Sequence, residues 1–175
     1  MKRVERNWNK SGYQCVVIMS DHGHRCGYVR VPTGHILHSV EYNDRTFKLS
    51  PYRDHNTAIV DIGKINVFKV FIGFGLDPES AFEVHGGITY SGGDGYPVRA
   101  HKSWWFGFDC AHYGDAPDIS ELSGVRLNMA MEYPSDGFVR SLEYCVSECE
   151  NLVGQLIEAD VMYRDRADIL FRKFT

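Results

Sequence analysis

Hydrophobic and polar positions along this chain follow two periods, and the change comes near residue 135. "GYQCVVIM" (12–19) is a β-branched apolar run, "SDHGH" after it is a turn cluster, and "RCGYVRVP" (25–32) is a second run ended by Pro32. Short apolar runs bounded by Gly and Pro predict buried strands, here a β-hairpin. "AFEVHGGITYSG" (81–92) and "SWWFGFDC" (103–110) predict two more strands, separated by the loop "GDGYPVRAHK". From Ser135 to Ala159 the period lengthens. Phe138, Val139, Leu142, Cys145, Val146, Cys149, Leu152, Val153, Leu156 and Ile157 recur at steps of three and four, which places them on one stripe of a long amphipathic helix. Ser135 or Asp136 is the expected cap. Residues 1–11 are polar and expected to fray, and residues 42–57 read as an exposed excursion. Residues 57–76 fit two short strands or one ragged helix, and 119–133 are ambiguous. These elements predict a single α+β domain spanning 1–175: an antiparallel β-sheet of about four to six strands, with the C-terminal helix packed on one face.

Composition sharpens the picture in three places. A 175-residue chain that is 43% hydrophobic can bury one sizeable core. A net charge of −4 argues against an extended nucleic-acid surface, which needs clustered Lys and Arg. No apolar run approaches the roughly 18–20 residues that cross a bilayer, and no apolar stretch follows the charges of "MKRVERNWNK". A cytoplasmic location is therefore expected, and in that reducing setting the five irregularly spaced cysteines are expected to be thiols.

Candidate chemistry concentrates in "WWFGFDCAHYGD" (104–115), where a core strand need not carry Asp109, His112 and Asp115. Strand alternation puts Trp104, Phe106, Phe108 and Cys110 on one face and Trp105, Gly107 and Asp109 on the other. In "EVHGGITYS" the same rule puts His85, Gly87 and Thr89 together. If the two strands pair, the face away from the helix displays His85, Thr89, Trp105 and Asp109, with bare glycines that admit a ligand and Trp105 as a flat surface for a base or sugar. His112 and Asp115 then close one rim. The bland alternative is that His85 and Asp109 merely hydrogen-bond across an exposed sheet face.

Several chemistries compete for these residues. His85, Asp109, His112 and Asp115 supply imidazoles and carboxylates suited to a divalent metal with an open position. Asp109 or His112 is the expected catalytic base if the site hydrolyses. Cys110 with His112 makes a poor nucleophile pair, because Cys110 falls on the core face. Ser91 with His85 lacks the elbow motif of serine hydrolases. "HGHRC" (His22, His24, Cys26), with Cys15, reads better as turn histidines than as zinc ligands. "SGGDG" (91–95) lacks the Lys of a P-loop, and Arg99, His101 and Lys102 in the same loop are as readily solvated as anion-binding. A surface rich in Tyr, Trp and His also suits a protein partner.

Taken in order, "CGYVRVPTGHILHSVEYND", "VHGGITYSG", "WWFGFDCAHYGD" and "VRSLEYCVSECENLVGQL" resemble a family of small phage and prophage proteins. Its members carry a GHPLYG-like turn, a VHGG-x-TYSG segment, a WWFGFDCAH-x-GD segment and a closing helix. The resemblance covers residues 25–42 and 82–157, and departs at "GHILHS", which lacks the proline and last glycine of that turn. It brings no reaction with it. It implies a phage accessory protein in the host cytoplasm, and it adds His35 to the candidate residues. By analogy with other phage proteins it makes a nucleotide-derived ligand attractive. The expected function is binding of a small polar, nucleotide-derived ligand by His35, His85, Thr89, Trp105, Asp109, His112 and Asp115. Hydrolysis at the same site, with water bound to a divalent metal or activated by a base, and interaction with a host protein are the alternatives.

Overall fold

The computed structural model of the chain describes residues 2–49, 76–93, 95–99 and 102–172. Five antiparallel strands, β1 (Arg3–Lys10), β2 (Tyr13–Met19), β3 (Arg25–Val31), β4 (Tyr90–Gly92) and β5 (Trp104–Asp109), form one sheet in the order β1-β2-β3-β5-β4. Among the described residues three α-helices accompany it: α1 (Pro78–Ala81), α2 (Gly124–Glu132) and α3 (Leu142–Arg172). The predicted α+β class holds, with α3 packed across one face of β2 and β3. Among the described residues no helix is long and apolar enough to cross a membrane. The expectation for 57–76 lies almost wholly outside the described residues.

The core lies between sheet and helix, and its pattern follows the pleat. Cys15, Val17, Val29, Val31, Phe106 and Phe108 point to one side, where Cys145, Cys149, Leu152, Val153 and Leu156 of α3 meet them. From Leu142 onward the stripe predicted for the helix is thus the buried one, whereas Phe138 and Val139 at its predicted start are exposed and precede the helix. All five cysteines are free, and Cys15, Cys110, Cys145 and Cys149 pack in the interior as small apolar groups.

Four expectations differ from what is observed. Residues 1–11, expected to fray, carry β1. It is an edge strand with no apolar run, tied down by the Arg25–Glu5 ion pair (2.7 Å) and by Trp8 against the core. The helix begins at Leu142 rather than at Ser135, because Ser141 is the cap: its hydroxyl oxygen accepts the Tyr144 N–H at 3.1 Å. Most of 81–92 is not strand. Gly86 and Gly87 hold φ of +66° and +88°, left-handed values incompatible with a pleat, so the chain turns there and only Tyr90–Gly92 pairs with β5. Finally, the sheet face away from α3 is not open. Val16, Ile18, Tyr28 and Trp105 form a second small core there, under Tyr90, Tyr96 and Val98.

Candidate functional site

The consequence for Trp105 is direct. It lies on the predicted face, opposite to Phe106 and Phe108, but it is 0% exposed beneath the 96–98 segment and offers no surface to a ligand. The bare position expected at Gly107 is filled as well: a Cβ there would stand 2.5 Å from the Tyr28 ring. His35 is also a core residue. Its Nδ1 accepts the Leu37 N–H at 3.0 Å, which leaves Nε2–H to donate to the Leu156 carbonyl at 3.0 Å. Burial pushes its pKa down and keeps the ring neutral. Both are buried side chains in this structure, against the expectation that they face a ligand on an open sheet face.

His85, His112 and Asp115 do converge, by a route the strand argument did not use. The sequence His112-Tyr113-Gly114-Asp115 closes a β-turn, with the Asp115 N–H donating to the His112 carbonyl at 3.0 Å. Gly114 holds φ of +88°, the left-handed value that the third position of a type II turn demands. The turn brings His112 beside the Asp115 carboxylate, and the His112 N–H donates to Oδ2 at 3.0 Å. His85 arrives from its own turn. Its Nε2 lies 2.8 Å from Asp115 Oδ2, its Nδ1 lies 3.0 Å from the Tyr144 hydroxyl, and its N–H donates to Glu148 Oε2 at 2.7 Å. The two imidazole rings meet edge to face at 5.6 Å. His112 can stand there only because residue 86 has no side chain, since a Cβ on Gly86 would fall 2.2 Å from the ring.

Asp115 is the pivot. Its side chain is fully excluded from solvent, and Arg140 Nε donates to its other oxygen at 2.7 Å. Burial alone raises this carboxyl. The hydrogen bonds from Arg140, His85 and the His112 N–H outweigh it and hold the pKa down at about 2. Asp109 and Thr89 form a second, more open pair: the Thr89 hydroxyl donates to Asp109 Oδ2 at 2.8 Å and the Ala111 N–H to Oδ1 at 3.1 Å. Asp109 Oδ1 stands 3.9 Å from His112 Nδ1, too far for a hydrogen bond.

The expected metal set is therefore narrowed to three. His85, His112 and Asp115 each offer a donor atom, all within 4.8 Å of one another, and no other such group is gathered among the described residues. Donors around a tetrahedral ion at ~2.1 Å stand about 3.4 Å apart, so the three side chains, gathered within 4.8 Å, would have to shift to take one. His112 Nδ1 adds a chemical reason, being buried without a hydrogen-bond partner in the protein. His22, His24 and Cys26 form no such group: Ser20 Oγ accepts the N–H groups of His22 and His24 in an ordinary turn. Cys110 is buried as expected, and the hydrogen bond with the Cys145 thiol at 3.6 Å together with burial pushes its pKa up, which disfavours the nucleophilic thiolate. Arg99 and Lys102 are exposed, and His101 lies outside the described residues.

Arg140, Tyr144 and Glu148 escaped the sequence reading. They had a signal: Tyr144, Glu148, Asn151 and Gln155 recur at steps of three and four, a polar stripe beside the apolar one. Asn151 Nδ2 and Gln155 Nε2 both donate to the Glu83 carbonyl at 2.9 Å, so the stripe grips the segment that carries His85. No family model, curated protein or solved structure matches this chain.

Proposed function

We propose that this chain hydrolyses a small polar substrate at a divalent metal ion held by His85, His112 and Asp115. The observation that carries the reading is the three-donor cluster with the unpartnered, buried Nδ1 of His112. Two imidazoles and one carboxylate favour zinc or a neighbouring transition ion, and three protein donors leave a position for water. Such an ion supplies an acidified water and a Lewis acid. The chain's own groups do the rest. Tyr144 fixes the His85 ring, and Arg140 orients the Asp115 carboxylate, as second partners of metal ligands do. Asp109, partly exposed and steadied by Thr89 and the Ala111 N–H, is the general base at the mouth of the site.

A second reading is recognition without turnover. It is favoured by the Asp115 carboxylate, whose oxygens have three partners among the chain's own groups, His85, the His112 N–H and Arg140, so the centre is preorganised by the protein itself. The nucleotide-derived ligand loses the support that Trp105 was expected to give. The phage-type role rests on the sequence resemblance alone, and the cytoplasmic setting on that resemblance and the hydropathy of the sequence.

Metal analysis of the purified chain after dialysis against zinc tests the proposal. One ion per chain is expected, lost in His112→Ala and Asp115→Asn. Asp109→Asn should keep the ion and lose turnover of phosphoester or amide substrates by about 100-fold or more. A wild-type chain that takes up no ion sinks the metal reading. An ion without turnover on any substrate leaves recognition as the function.

A further inference from the structure

The interior holds one pair of reactive groups that the proposed hydrolysis does not use. Cys110 follows directly on β5, its N–H donating to the Arg25 carbonyl at 2.9 Å. Cys145 lies in the first turn of α3, its N–H donating to the Ser141 carbonyl at 3.2 Å. Their Sγ atoms stand 3.6 Å apart in a hydrogen bond, at 2% and 0% exposure. Among the described residues this is the one thiol–thiol contact, and Cys15 donates instead to the Tyr13 carbonyl at 3.8 Å. A disulfide holds its sulfurs at about 2.05 Å, so the pair has roughly 1.5 Å to close.

The two thiols are unequal. The Cys110 S–H and the Arg25 charge outweigh burial at Cys145 and lower its pKa, while Cys110 is pushed up. That is the division between an attacking and a resolving thiol. Both also adjoin the centre along the chain. Cys110 precedes His112 by two residues, and Cys145 follows Tyr144, whose hydroxyl meets His85 Nδ1 at 3.0 Å. Drawing the sulfurs together therefore pulls on the segments that place His112 and His85. We infer that Cys110 and Cys145 are a dithiol oxidised by peroxide, and that their disulfide loosens the His85–His112–Asp115 centre. The Cys145 thiolate attacks one peroxide oxygen; an S–O bond forms, the O–O bond breaks, and the leaving hydroxide takes up a proton to become water. The Cys110 sulfur then attacks Cys145; the S–S bond forms, the S–O bond breaks, and a second water leaves with the Cys110 proton. The peroxide is reduced by two electrons and the two thiols are oxidised by two. Hydrogen peroxide is small enough to reach a buried pair through local opening, where bulkier oxidants are kept out. The effect on metal binding rests on the function proposed above, whereas formation of the disulfide does not.

The reduced, zinc-free full chain would be treated with hydrogen peroxide, digested and mapped by mass spectrometry. A Cys110–Cys145 linked peptide is expected, with two fewer free thiols and full reversal by dithiothreitol. Cys110→Ala and Cys145→Ala should each abolish it. The oxidised wild type should bind zinc at least about tenfold more weakly than the reduced, the usual cost of displacing the partners that orient metal ligands. Both variants should keep the reduced wild-type affinity before and after peroxide, which shows that neither thiol is itself a zinc ligand. Absence of the linked peptide, or linkage of another pair, overturns the inference. A linked chain whose zinc affinity stays within about twofold overturns control of the centre and leaves the metal reading standing. If neither form takes up zinc, the metal reading falls, and the His85 and His112 imidazole signals decide the coupling: a shift between reduced and oxidised protein in NMR spectra is expected, and unchanged signals overturn it.

Discussion

At the scale of single residues, Asp115 concentrates the physics of this protein. A carboxylate with no solvent exposure is tolerable only when its charge is matched and its lone pairs are used, and Arg140, His85 and the His112 N–H do both. Its folded pKa of about 2 lies below the ordinary aspartate value of roughly 3.9. A depressed pKa stabilises the fold above the unfolded value, and that stability is lost as pH falls through the folded one. In the metal-free protein, the advantage of the wild type over Asp115→Asn should therefore be constant at pH 5 and above. It should shrink by on the order of 2 kcal/mol between about pH 4 and pH 2. Urea denaturation across that range checks it, and parallel profiles for the two proteins would count against the assigned role. The residue types of the site were readable in "DCAHYGD", because buried-looking sequence rarely carries His and Asp without a task. Which of them meet was not, since that depends on a turn type and on two glycines elsewhere.

Among the elements, α3 has two duties that its sequence keeps on separate stripes. The apolar stripe fills the core, and Tyr144, Glu148, Asn151 and Gln155 hold the Glu83–His85 segment against the helix. That grip replaces the strand expected over 81–92, which Gly86 and Gly87 forbid by their left-handed backbone. Tyr144→Phe removes only the hydroxyl that faces His85 Nδ1. It should lower metal affinity roughly 10- to 100-fold, the usual cost of losing an orienting partner, while thermal stability changes by no more than about 1 kcal/mol. Isothermal titration with zinc beside a melting curve separates the two. An unchanged affinity would mean that His85 is held well enough by Asp115 and the backbone. The period of the helix was readable because every core position of α3 faces the same sheet. Its start was not: Phe138 and Val139 continue the apolar spacing but belong to an extended segment that pairs with Asp115.

For the molecule as a whole, the sheet has two covered faces, and this changes the meaning of Trp105. As the centre of the second core, Trp105→Ala should cost about 3–5 kcal/mol in denaturant unfolding, with zinc uptake by the folded fraction intact. A loss below about 1 kcal/mol would return Trp105 to the list of surface residues. From sequence alone, strand phase placed Trp105 opposite Phe106 and Phe108 correctly, and the α+β class, the thiol state of the cysteines and the buried stripe of α3 followed from periodicity and composition. Those are properties of neighbouring residues, and the pleat and the helical turn transmit them through the backbone. Whether a face is covered, and which polar side chains share one point in space, depends on segments far apart in the chain. Tyr96 lies over Tyr28, Arg140 reaches Asp115, and Tyr144 meets His85 only after sheet and helix have packed. The sequence by itself therefore determined the elements and the stock of reactive groups. The tertiary structure alone decided that His85, His112 and Asp115 come together and that Trp105 and His35 are buried, because long-range packing sets burial and distance and no local period encodes either.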